Sequence, residues 1–322
     1  MSSPSEKTSA VSVVIPNYNG RDLLRDNLPS IFHALETWGG TWELIVVDDC
    51  SSDDSCRVIK EQFPTARLLI NPTNSGFSKT CNIGMAMARY PVLLCINTDV
   101  RAAENLIGPL LSHFNQDDVF AVTPRIVVER EGKNQGSVSG AFRRGFLKGA
   151  FARDDEESGS RENLYAIGAC VAYDADKFRS LGGYSEMYSP YLFEDVDIAY
   201  RAWKRGWKSI YEPDVTTWHF SNATLGRVKR RRNKVIYFRN RFIFHWVNLS
   251  DPWFVAMNLL NTLIRLLFSF LWCNFVYYEA FWGACKRLPE ILSIRRTEKV
   301  HRRRGDAEII RCTARSPGIG AR

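Results

Sequence analysis

The sequence Val11-Ser-Val-Val-Ile-Pro16 is followed by Asn17-Tyr18-Asn19 in a chain of 322 residues. A β-branched run ended by proline predicts a buried strand. The polar residues after it predict a turn at the carboxyl end of that strand. A helix is expected over about 21–37, because apolar residues recur there at helical spacing. This strand–turn–helix unit sets a pattern that the following segments repeat.

The alternation of strands and helices continues after Gly39-Gly40. Strands are expected at 42–47, 66–70, 91–96 and near 119–123, and helices at about 53–62, 76–89 and 103–115. This alternation predicts an α/β fold with a mostly parallel, doubly wound, Rossmann-like sheet covered by helices on both faces. Ligands of such sheets bind at the carboxyl ends of the strands. We therefore expect a site where polar side chains follow strands, at Asn17, Asp48, Asp49, Asn97 and Asp99.

The domain with this pattern is expected to span residues 11–225. Residues 1–10 are polar, without a basic-then-apolar signal pattern, and are expected to be disordered. Residues 129–163 are rich in glycine and charge and only weakly periodic, which predicts a long flexible loop. A strand at 164–173, a helix at 194–206 and an extended segment at 208–219 complete the domain.

Residues 226–322 differ in character from the rest of the chain. Basic clusters at 227–232 and 295–304 flank an aromatic stretch at 253–285, and the net charge of the chain is +8. Such clusters indicate either a polyanionic partner or a solvated charged face. Because Trp and Tyr beside Lys and Arg favour a membrane interface, we expect amphipathic helices on an anionic membrane surface.

Two alternatives stand beside the membrane surface: a crossing helix at 266–285, or an ordinary buried pair of helices. A nucleic-acid partner is unlikely, because no groove-binding motif accompanies the basic clusters.

Carboxylates at the strand ends are the first candidate chemical groups. Asp99, in Asn97-Thr98-Asp99, could hold Mg²⁺ or Mn²⁺ while phosphate oxygens complete the shell, although polar turns after strands are common. Asp48-Asp49 could accept from a nucleoside base and a ribose hydroxyl, or could cap the next helix. His219, at the end of an extended segment, would be a metal ligand only if it converges on Asp99.

Glu194-Asp195, followed by Asp197, opens the predicted helix at 194–206. Acids in a first helical turn suit the helix dipole, which is one sufficient explanation. The aromatic segment 188–193 before them could also raise the pKa of a carboxyl group. A carboxylate that takes a proton from an attacking hydroxyl is a general base.

The motifs occur in a fixed order along the chain. They are VSVVIPNYN (11–19), IVVDDCSSD (45–53), NSGFSKTCNIG (74–84), NTD (97–99), GGY (182–184), FEDVD (193–197) and WH (218–219). This order closely resembles the family 2 glycosyltransferases with the GT-A fold, especially a bacterial rhamnosyltransferase-like branch. The resemblance covers about residues 10–250, and the ordered set is far more specific than any one motif. Cys50 departs from it, because the family commonly has glycine after the paired acids.

The resemblance implies a role for individual residues. Asp195 would be the general base, Asp99 and His219 would hold a divalent metal, and Glu194, Gly168, Ala169 and Cys170 would line the acceptor and sugar side. The donor nucleotide would contact Pro16, Asn17, Tyr18, Asp48 or Asp49, Asn74, Gly76, Phe77, Asn82, Asn97, Thr98 and Asp99. Asn97 stands where the family's DxD-like motif has its first acid, so the protein would give the metal less charge.

The implied activity is the inverting transfer of a sugar from a nucleotide-diphosphate sugar, expected to be dTDP- or UDP-linked. The acceptor would be a hydroxyl of a lipid-linked or polysaccharide glycan in cell-envelope synthesis. The enzyme would be cytoplasmic and peripheral at the inner face of the membrane.

Two other functions compete with this one. A nucleotidyltransferase-like sugar enzyme would carry a glycine-rich basic loop after the first strand, where this chain has PNYNGR (16–21). A non-catalytic membrane scaffold would not need Asp99, Asp195 and His219 together.

Overall fold

The computed structural model describes residues 7–151, 159–220, 230–271 and 275–314. The strands are β1 (Ala10–Asn17), β2 (Thr41–Asp48), β3 (Arg67–Ile70), β4 (Val92–Ile96), β5 (Val100–Ala102), β6 (Val119–Val128), β7 (Lys133–Asn134), β8 (Val138–Arg143), β9 (Phe146–Phe151), β10 (Arg161–Asn163), β11 (Cys170–Asp174) and β12 (Lys208–His219). The α-helices are α1 (Arg21–Trp38), α2 (Ser55–Gln62), α3 (Phe77–Ala86), α4 (Ile107–Ser112), α5 (Ala175–Ser180), α6 (Glu194–Lys204), α7 (Arg230–Asn248), α8 (Pro252–Leu271), α9 (Phe275–Cys285), α10 (Leu288–His301) and α11 (Asp306–Thr313).

Ten of the described strands form one sheet, whose main path runs β10-β12-β6-β11-β4-β1-β2-β3. β1 pairs in parallel with β2 on one side and with β4 on the other, and β2 pairs in parallel with β3. The strand order therefore reverses between β1 and β4, which is the topological switch point. β11 runs antiparallel to both β4 and β6. The predicted α/β sheet is confirmed, with its parallel strands concentrated in the first half of the chain.

The alternation of side chains along β1 divides the core between the two faces of the sheet. Val13 and Ile15 face α1, where they pack with Leu28 and other apolar residues of that helix. Val14 faces the other way, toward α3. Gly84 of α3 lies so close that a Cβ would be 2.4 Å from Val14 Cγ1, which explains a glycine inside this helix.

The flexible loop expected over 129–163 is wrong for the described part of that segment, while residues 152–158 lie outside the description. β7, β8, β9 and β10 fall in it, and β8 and β9 pair as an antiparallel hairpin. Four of the six glycines in this segment lie in close packing instead. A Cβ on Gly140 would lie 2.5 Å from Thr313 Oγ1 of α11.

The expected disorder of residues 1–10 is wrong for residues 7–10, and residues 1–6 lie outside the description. Ala10 is the first residue of β1. Lys7 is buried, and its Nζ lies 2.7 Å from Asp174 Oδ2 at the start of α5. A buried cation of this kind is retained because a carboxylate pairs with it.

The boundary expected at 225/226 does not separate a tail from the catalytic domain. Residues 221–229 lie outside the description, but α7 packs into a third apolar core with Phe242, Ile243 and Phe244. Tyr200 and Trp203 of α6 belong to the same core, and so do residues of α9, α10 and α11. The helices after residue 230 are therefore part of the folded unit.

Helix α8 is amphipathic, with its polar face buried and its apolar face exposed. Its buried residues are polar, Asn258 and Thr262, while Leu263 and Leu267 are 64% and 63% exposed. Asn258 Nδ2 donates to the carbonyl of Gly145, in the turn of the β8–β9 hairpin, at 2.7 Å. By length and composition this one helix of the described chain could cross a membrane, and 11% of its apolar window is buried.

Candidate active site

The carboxyl ends of β1 and β2 place Asn17 beside Asp48, because the parallel register pairs these two residues. Asn17 Nδ2 donates to Asp48 Oδ1 at 2.7 Å and to Ser51 Oγ at 3.2 Å. Asp48 also accepts from the backbone N–H and the hydroxyl of Ser51, at 2.9 and 2.6 Å. Asp48 is 1% exposed. Its hydrogen bonds hold the turn that follows β2.

The neighbouring carboxylate, Asp49, holds the next loop. It accepts from Asn71 Nδ2 at 2.8 Å and from the backbone N–H groups of Ser75 and Gly76 at 2.8 and 2.9 Å. These three donors offset the burial of its negative charge. Gly76 has φ +84, a left-handed conformation that favours glycine. Sequence reasoning missed Asn71, whose one signal is an Asn-Pro dipeptide directly after a strand.

Asn82 of α3 holds the Gly182-Gly183-Tyr184 turn. Its Nδ2 donates to the carbonyl of Tyr184 at 2.8 Å, and its Oδ1 accepts from the N–H of the same residue at 2.9 Å. A Cβ on Gly183 would lie 2.7 Å from Asn82 Oδ1, so only glycine fits there. The N–H of Phe77 donates to the carbonyl of Pro190 at 3.2 Å. α3 thus connects the loop at 71–76, which Asp49 holds, to the segment that precedes Glu194.

The other predicted donor residues lie along the same edge. Tyr18 is 52% exposed, directly after β1. Asn74 is exposed in the loop that Asp49 holds, and Pro16 is partly buried in β1. The carbonyl of Thr98 accepts from Asn27 Nδ2 at 2.9 Å. Contact with a nucleotide stays a prediction for these residues.

Asp99 and His219 converge although they are far apart in the chain. β5 pairs with β12 antiparallel, with His219 opposite Val100, and the N–H of Phe220 donates to the carbonyl of Asp99 at 2.8 Å. This ladder brings His219 Nε2 to 3.4 Å from Asp99 Oδ1, and both side chains are 14% exposed. The other ring nitrogen, Nδ1, lies 3.4 Å from Gln135 Oε1. Gln135, which sequence reasoning missed, therefore orients the imidazole.

The donor set at this point fits a divalent metal. A carboxylate oxygen and an imidazole nitrogen are ligands that Mn²⁺ and related ions accept. Asn97 Oδ1, two residues before Asp99, is buried and has no hydrogen-bond partner among the described residues. Across the described residues, no three or more His, Cys, Asp and Glu side chains lie together in an arrangement that could hold a metal ion by themselves. Two protein ligands suit a metal that takes further oxygens from a diphosphate.

Asp195 lies at the start of α6, in contact with the segment before β11. Its Oδ2 accepts from the N–H of Gly168 at 3.0 Å and its Oδ1 from its neighbour Val196 at 2.8 Å. The carbonyl of Ala169 accepts in turn from the N–H of Asn97 at 2.9 Å. This chain of adjacent residues connects the predicted base to the predicted metal motif.

Burial raises the pKa of Asp195, and the two backbone N–H groups oppose that shift because they stabilise the carboxylate. Burial, with the negative charge of Asp195, raises the pKa of Glu194 to about 8. Glu194 Oε2 is buried and has no hydrogen-bond partner within the described ranges. With a pKa of about 8, Glu194 is protonated near pH 7.

Cys170 does not lie where the sequence predicted it. It is 0% exposed, in β11 opposite Ile96, and its thiol belongs to the core. β11 runs in the middle of the sheet, so its side chains on both faces are covered. Cys170 therefore cannot line an acceptor site through its thiol. Ala169 is also buried, and a place for Gly168 and Ala169 on the acceptor side stays a prediction.

The backbone before α6 adopts an uncommon conformation. Leu192 and Phe193 have φ values of 76° and 80°, which bulky residues rarely adopt. Such conformations persist only where the surroundings hold them in place, and they concentrate at functional sites.

Asn240 of α7 holds this segment, and sequence reasoning missed it. The side chain is 0% exposed, and its Nδ2 lies 2.8, 2.9 and 2.8 Å from the carbonyl oxygens of Tyr188, Tyr191 and Leu192. No motif in the sequence marks Asn240 as a buried amide. α7 therefore supports the loop that presents Glu194 and Asp195.

The family model described as Glycosyl transferase family 2 matches residues 12–182. Two relatives come from Mycobacterium tuberculosis. A pre-mycofactocin glycosyltransferase is 28% identical over 223 residues, which is 68% of this chain and 44% of that protein. An N-acetylglucosaminyl-diphospho-decaprenol L-rhamnosyltransferase is 24% identical over 246 residues, which is 68% of this chain and 79% of that protein. The chain spans less than half the length of the first curated relatives it matches, 31% in one case and 44% in another.

A similar solved structure is that of GalNAc-T7 with UDP, GalNAc and Mn²⁺. It superposes with a TM-score of 0.59 at 19% identity, over 76% of this chain and 48% of that chain. At this identity the likeness shows the fold, and the predicted GT-A fold is confirmed.

Replacing Asn240 with Ala should impair turnover without impairing nucleotide binding. The change leaves the carbonyl groups of the segment 188–192 without their donor, which costs about 1–3 kcal/mol in the free energy of unfolding. We expect kcat to fall at least about tenfold, because Asp195 loses its fixed position. Steady-state kinetics and nucleotide titration measure the two effects. Lys234→Ala, an exposed change on the same helix, is the control, and an unchanged kcat in Asn240→Ala would contradict the assigned role.

Proposed function

We propose that this protein is a metal-dependent inverting glycosyltransferase. The chain belongs to glycosyl transferase family 2. It would move a sugar from a nucleotide-diphosphate sugar to a hydroxyl group of an acceptor. The observation that carries the proposal is the meeting of two chemical groups at one edge of the sheet. One is the Asp99–His219 pair, and the other is the half-buried Asp195 carboxylate joined to it through Gly168, Ala169 and Asn97.

Asp195 is the proposed general base. It takes the proton of the acceptor hydroxyl as that oxygen forms a bond to the anomeric carbon. The bond between the anomeric carbon and the diphosphate breaks in the same step, and its electron pair leaves with the phosphate oxygen. A carboxylate held by two backbone N–H groups keeps one orientation, so the base is placed before the acceptor arrives.

Glu194 supports the same step by being protonated. With a pKa of about 8 it adds no second negative charge beside Asp195 near pH 7. Its proton can be donated in a hydrogen bond to a hydroxyl of the donor or acceptor sugar. A deprotonated Glu194 would repel both the Asp195 carboxylate and the diphosphate.

Asp99 and His219 would hold the divalent metal, with Gln135 fixing the ring of His219. When bound, the metal supplies Lewis-acid stabilisation of the charge that develops on the departing diphosphate. The buried Asn97 Oδ1 is available to the metal or to a water bound to it.

The donor and acceptor follow from the relatives by analogy. GalNAc-T7 was determined with UDP and Mn²⁺, and the similar L-rhamnosyltransferase is named for an N-acetylglucosaminyl-diphospho-decaprenol acceptor. We propose a UDP- or dTDP-linked donor and a lipid-linked or growing-polysaccharide acceptor of the cell envelope.

We propose that α8 places the protein on the cytoplasmic face of a membrane. Its outward face is apolar and includes Leu259, Leu263, Leu267 and Phe270, which are 51–69% exposed. Exposed basic residues also occur on α7 and α10, among them Arg231, which pairs with Glu279, and Lys299. An apolar face beside cations suits an anionic lipid surface, where leucines enter the acyl boundary and cations meet phosphates.

Asp195→Asn tests the proposed base. Release of nucleoside diphosphate from a panel of UDP- and dTDP-sugars, with and without acceptor, gives the parent activity. We expect kcat to fall by about 10²–10⁴-fold in Asp195→Asn, with donor affinity kept, because the amide preserves the shape and removes the base. Asp176→Asn, an exposed acid of α5, is the control. Transfer by Asp195→Asn near the parent rate would reject Asp195 as the base, and no release by the parent from any donor would favour a scaffold.

Asp99→Ala tests the metal site. Calorimetry of donor binding with and without Mn²⁺ should show that the variant loses the metal-dependent part of the affinity. Gln135→Leu should weaken Mn²⁺ affinity by about 10–100-fold, because the imidazole loses its orienting partner. Asp118→Ala, a half-exposed acid elsewhere on the sheet, is the control. If Asp99→Ala binds donor with unchanged Mn²⁺ dependence, the assignment is wrong.

The double change Leu263→Glu with Leu267→Glu tests the membrane surface. Both side chains are more than 60% exposed, so the free energy of unfolding should change by less than about 0.5 kcal/mol. Cosedimentation with vesicles of phosphatidylcholine and phosphatidylglycerol should be lost. Val300→Glu, an 82% exposed residue of α10, should still cosediment. Undiminished binding of the double variant would refute a role for α8.

A further inference from the structure

Arg241 of α7 is a cation without the partners that a buried charge needs. Its Nε and Nη2 are buried and have no hydrogen-bond partner among the residues that the structure describes. The guanidinium lies over aromatic rings instead, 4.3 Å from the centroid of Phe146 and 5.0 Å from that of Phe238. Buried charges are costly unless they are paired and hydrogen-bonded, so this arrangement is incomplete as it stands.

A second guanidinium lies at the same place. Arg265 of α8 is 5.0 Å from the centroid of the same Phe146 ring. Burial lowers the pKa of Arg241, and the charge of Arg265 lowers it further, which places the two cations close together. In the described part of the chain, neither arginine forms an ion pair with a carboxylate. Two adjacent, partly exposed cations with which no carboxylate of the described residues pairs create a positive potential that attracts anions.

A hydroxyl group completes the cluster. The Tyr277 hydroxyl of α9 is buried and has no hydrogen-bond partner within the described ranges. Burial raises the pKa of Tyr277, while the charges of Arg241 and Arg265 oppose that shift, so the hydroxyl lies near both guanidinium groups. The guanidinium N–H donors of the cluster outnumber its neutral tyrosine hydroxyl acceptors, and no carboxylate among the described residues pairs with them.

The cluster lies between the proposed base and the apolar face of α8. On one side, the Tyr237 ring lies under the Arg241 guanidinium at 5.7 Å and packs at 5.6 Å against Phe193, which directly precedes Glu194 and Asp195. On the other side, Arg265 belongs to α8, whose outward leucines are exposed.

We infer that Arg241, Arg265 and the Tyr277 hydroxyl bind the diphosphate of a lipid-linked acceptor. Guanidinium groups bind phosphate oxygens through paired N–H donors, and two of them match two phosphate groups. The sugar hydroxyl of the acceptor then reaches Asp195, and the hydrocarbon lies along α8 toward the membrane. The inference rests on the proposed function and narrows its acceptor to an anionic, phosphate-bearing one, separate from the diphosphate of the donor.

A purely structural role predicts something different. If the aromatic contacts were the purpose of the arginines, Arg→Met would destabilise the protein. If the arginines await an anion, removing an unpaired buried charge leaves the ligand-free protein at least as stable. Thermal unfolding of Arg241→Met and Arg265→Met separates these two roles.

The test titrates the full chain with farnesyl diphosphate and with farnesol, which share one hydrocarbon and differ in the diphosphate. We expect the parent to bind farnesyl diphosphate about tenfold or more tightly than farnesol. Arg241→Met and Arg265→Met should lose that preference and lose the rise in Tm that farnesyl diphosphate gives. Arg296→Met, an exposed arginine of α10, should keep both. A parent without preference, or variants that keep it, would overturn the inference.

Two further arms separate the sources of phosphate and the two proposals. If phosphatidylglycerol in mixed vesicles competes with farnesyl diphosphate in the parent but not in the variants, the site takes a phospholipid headgroup and the acceptor inference falls. Mn²⁺-dependent binding of UDP and dTDP in the same samples reports on the donor site. If only this nucleotide binding is absent, the transferase proposal is rejected and the phosphate site stands. If only the preference of the parent for farnesyl diphosphate is absent, the phosphate site is rejected and the transferase proposal stands.

Discussion

The hydrogen bonds from the buried Asn240 amide to the segment 188–192 are the constraint on which the site depends. Loops at the carboxyl edge of a parallel sheet have no neighbouring strand to pair with, so the backbone groups that they bury need other partners. Buried side chains therefore take the place of strand partners. Asp49 does so for the loop at 71–76 and Asn82 for the turn at 182–184. The segment before Glu194 receives its support from a helix that is remote in sequence.

The parts of the fold that could be predicted from sequence are those set by local pattern. β1, β2 and β4 are continuous apolar runs, and each ends in a polar turn at the expected edge. The convergence of Asp99 with His219 was predicted from the family resemblance, because no local pattern could indicate a contact made by pairing β5 with β12. Asp48 and Asp49 were predicted as donor contacts, and the structure shows in addition that each holds a turn. Nucleotide contact by either one stays a prediction.

The parts that could not be predicted depend on contacts between distant segments. β8 and β9 are short, rich in glycine and charge, and look like a loop until α11 and α8 are seen to pack on them. Gln135 lies just before β8, within the expected loop 129–163, and no motif marks it. α7 was assigned to a membrane tail because its arginines and aromatic residues dominate its composition, whereas its buried Asn240 and His245 bind the catalytic unit. The composition of a helix does not show which of its polar groups are buried.

The bond between Asn258 and the carbonyl of Gly145 has a mechanical consequence. It fastens the polar face of α8 to the turn of the β8–β9 hairpin, and Phe146 next to that turn carries the guanidinium groups of Arg241 and Arg265. The hairpin is fastened at its other side to α7, because the N–H of Leu147 donates to His245 Nε2 at 2.9 Å. Contacts thus connect α8, the hairpin and α7, and they run from the exposed apolar surface of α8 to the loop before Asp195. Through these contacts, the helix with the exposed apolar face is tied to the loop that precedes Asp195.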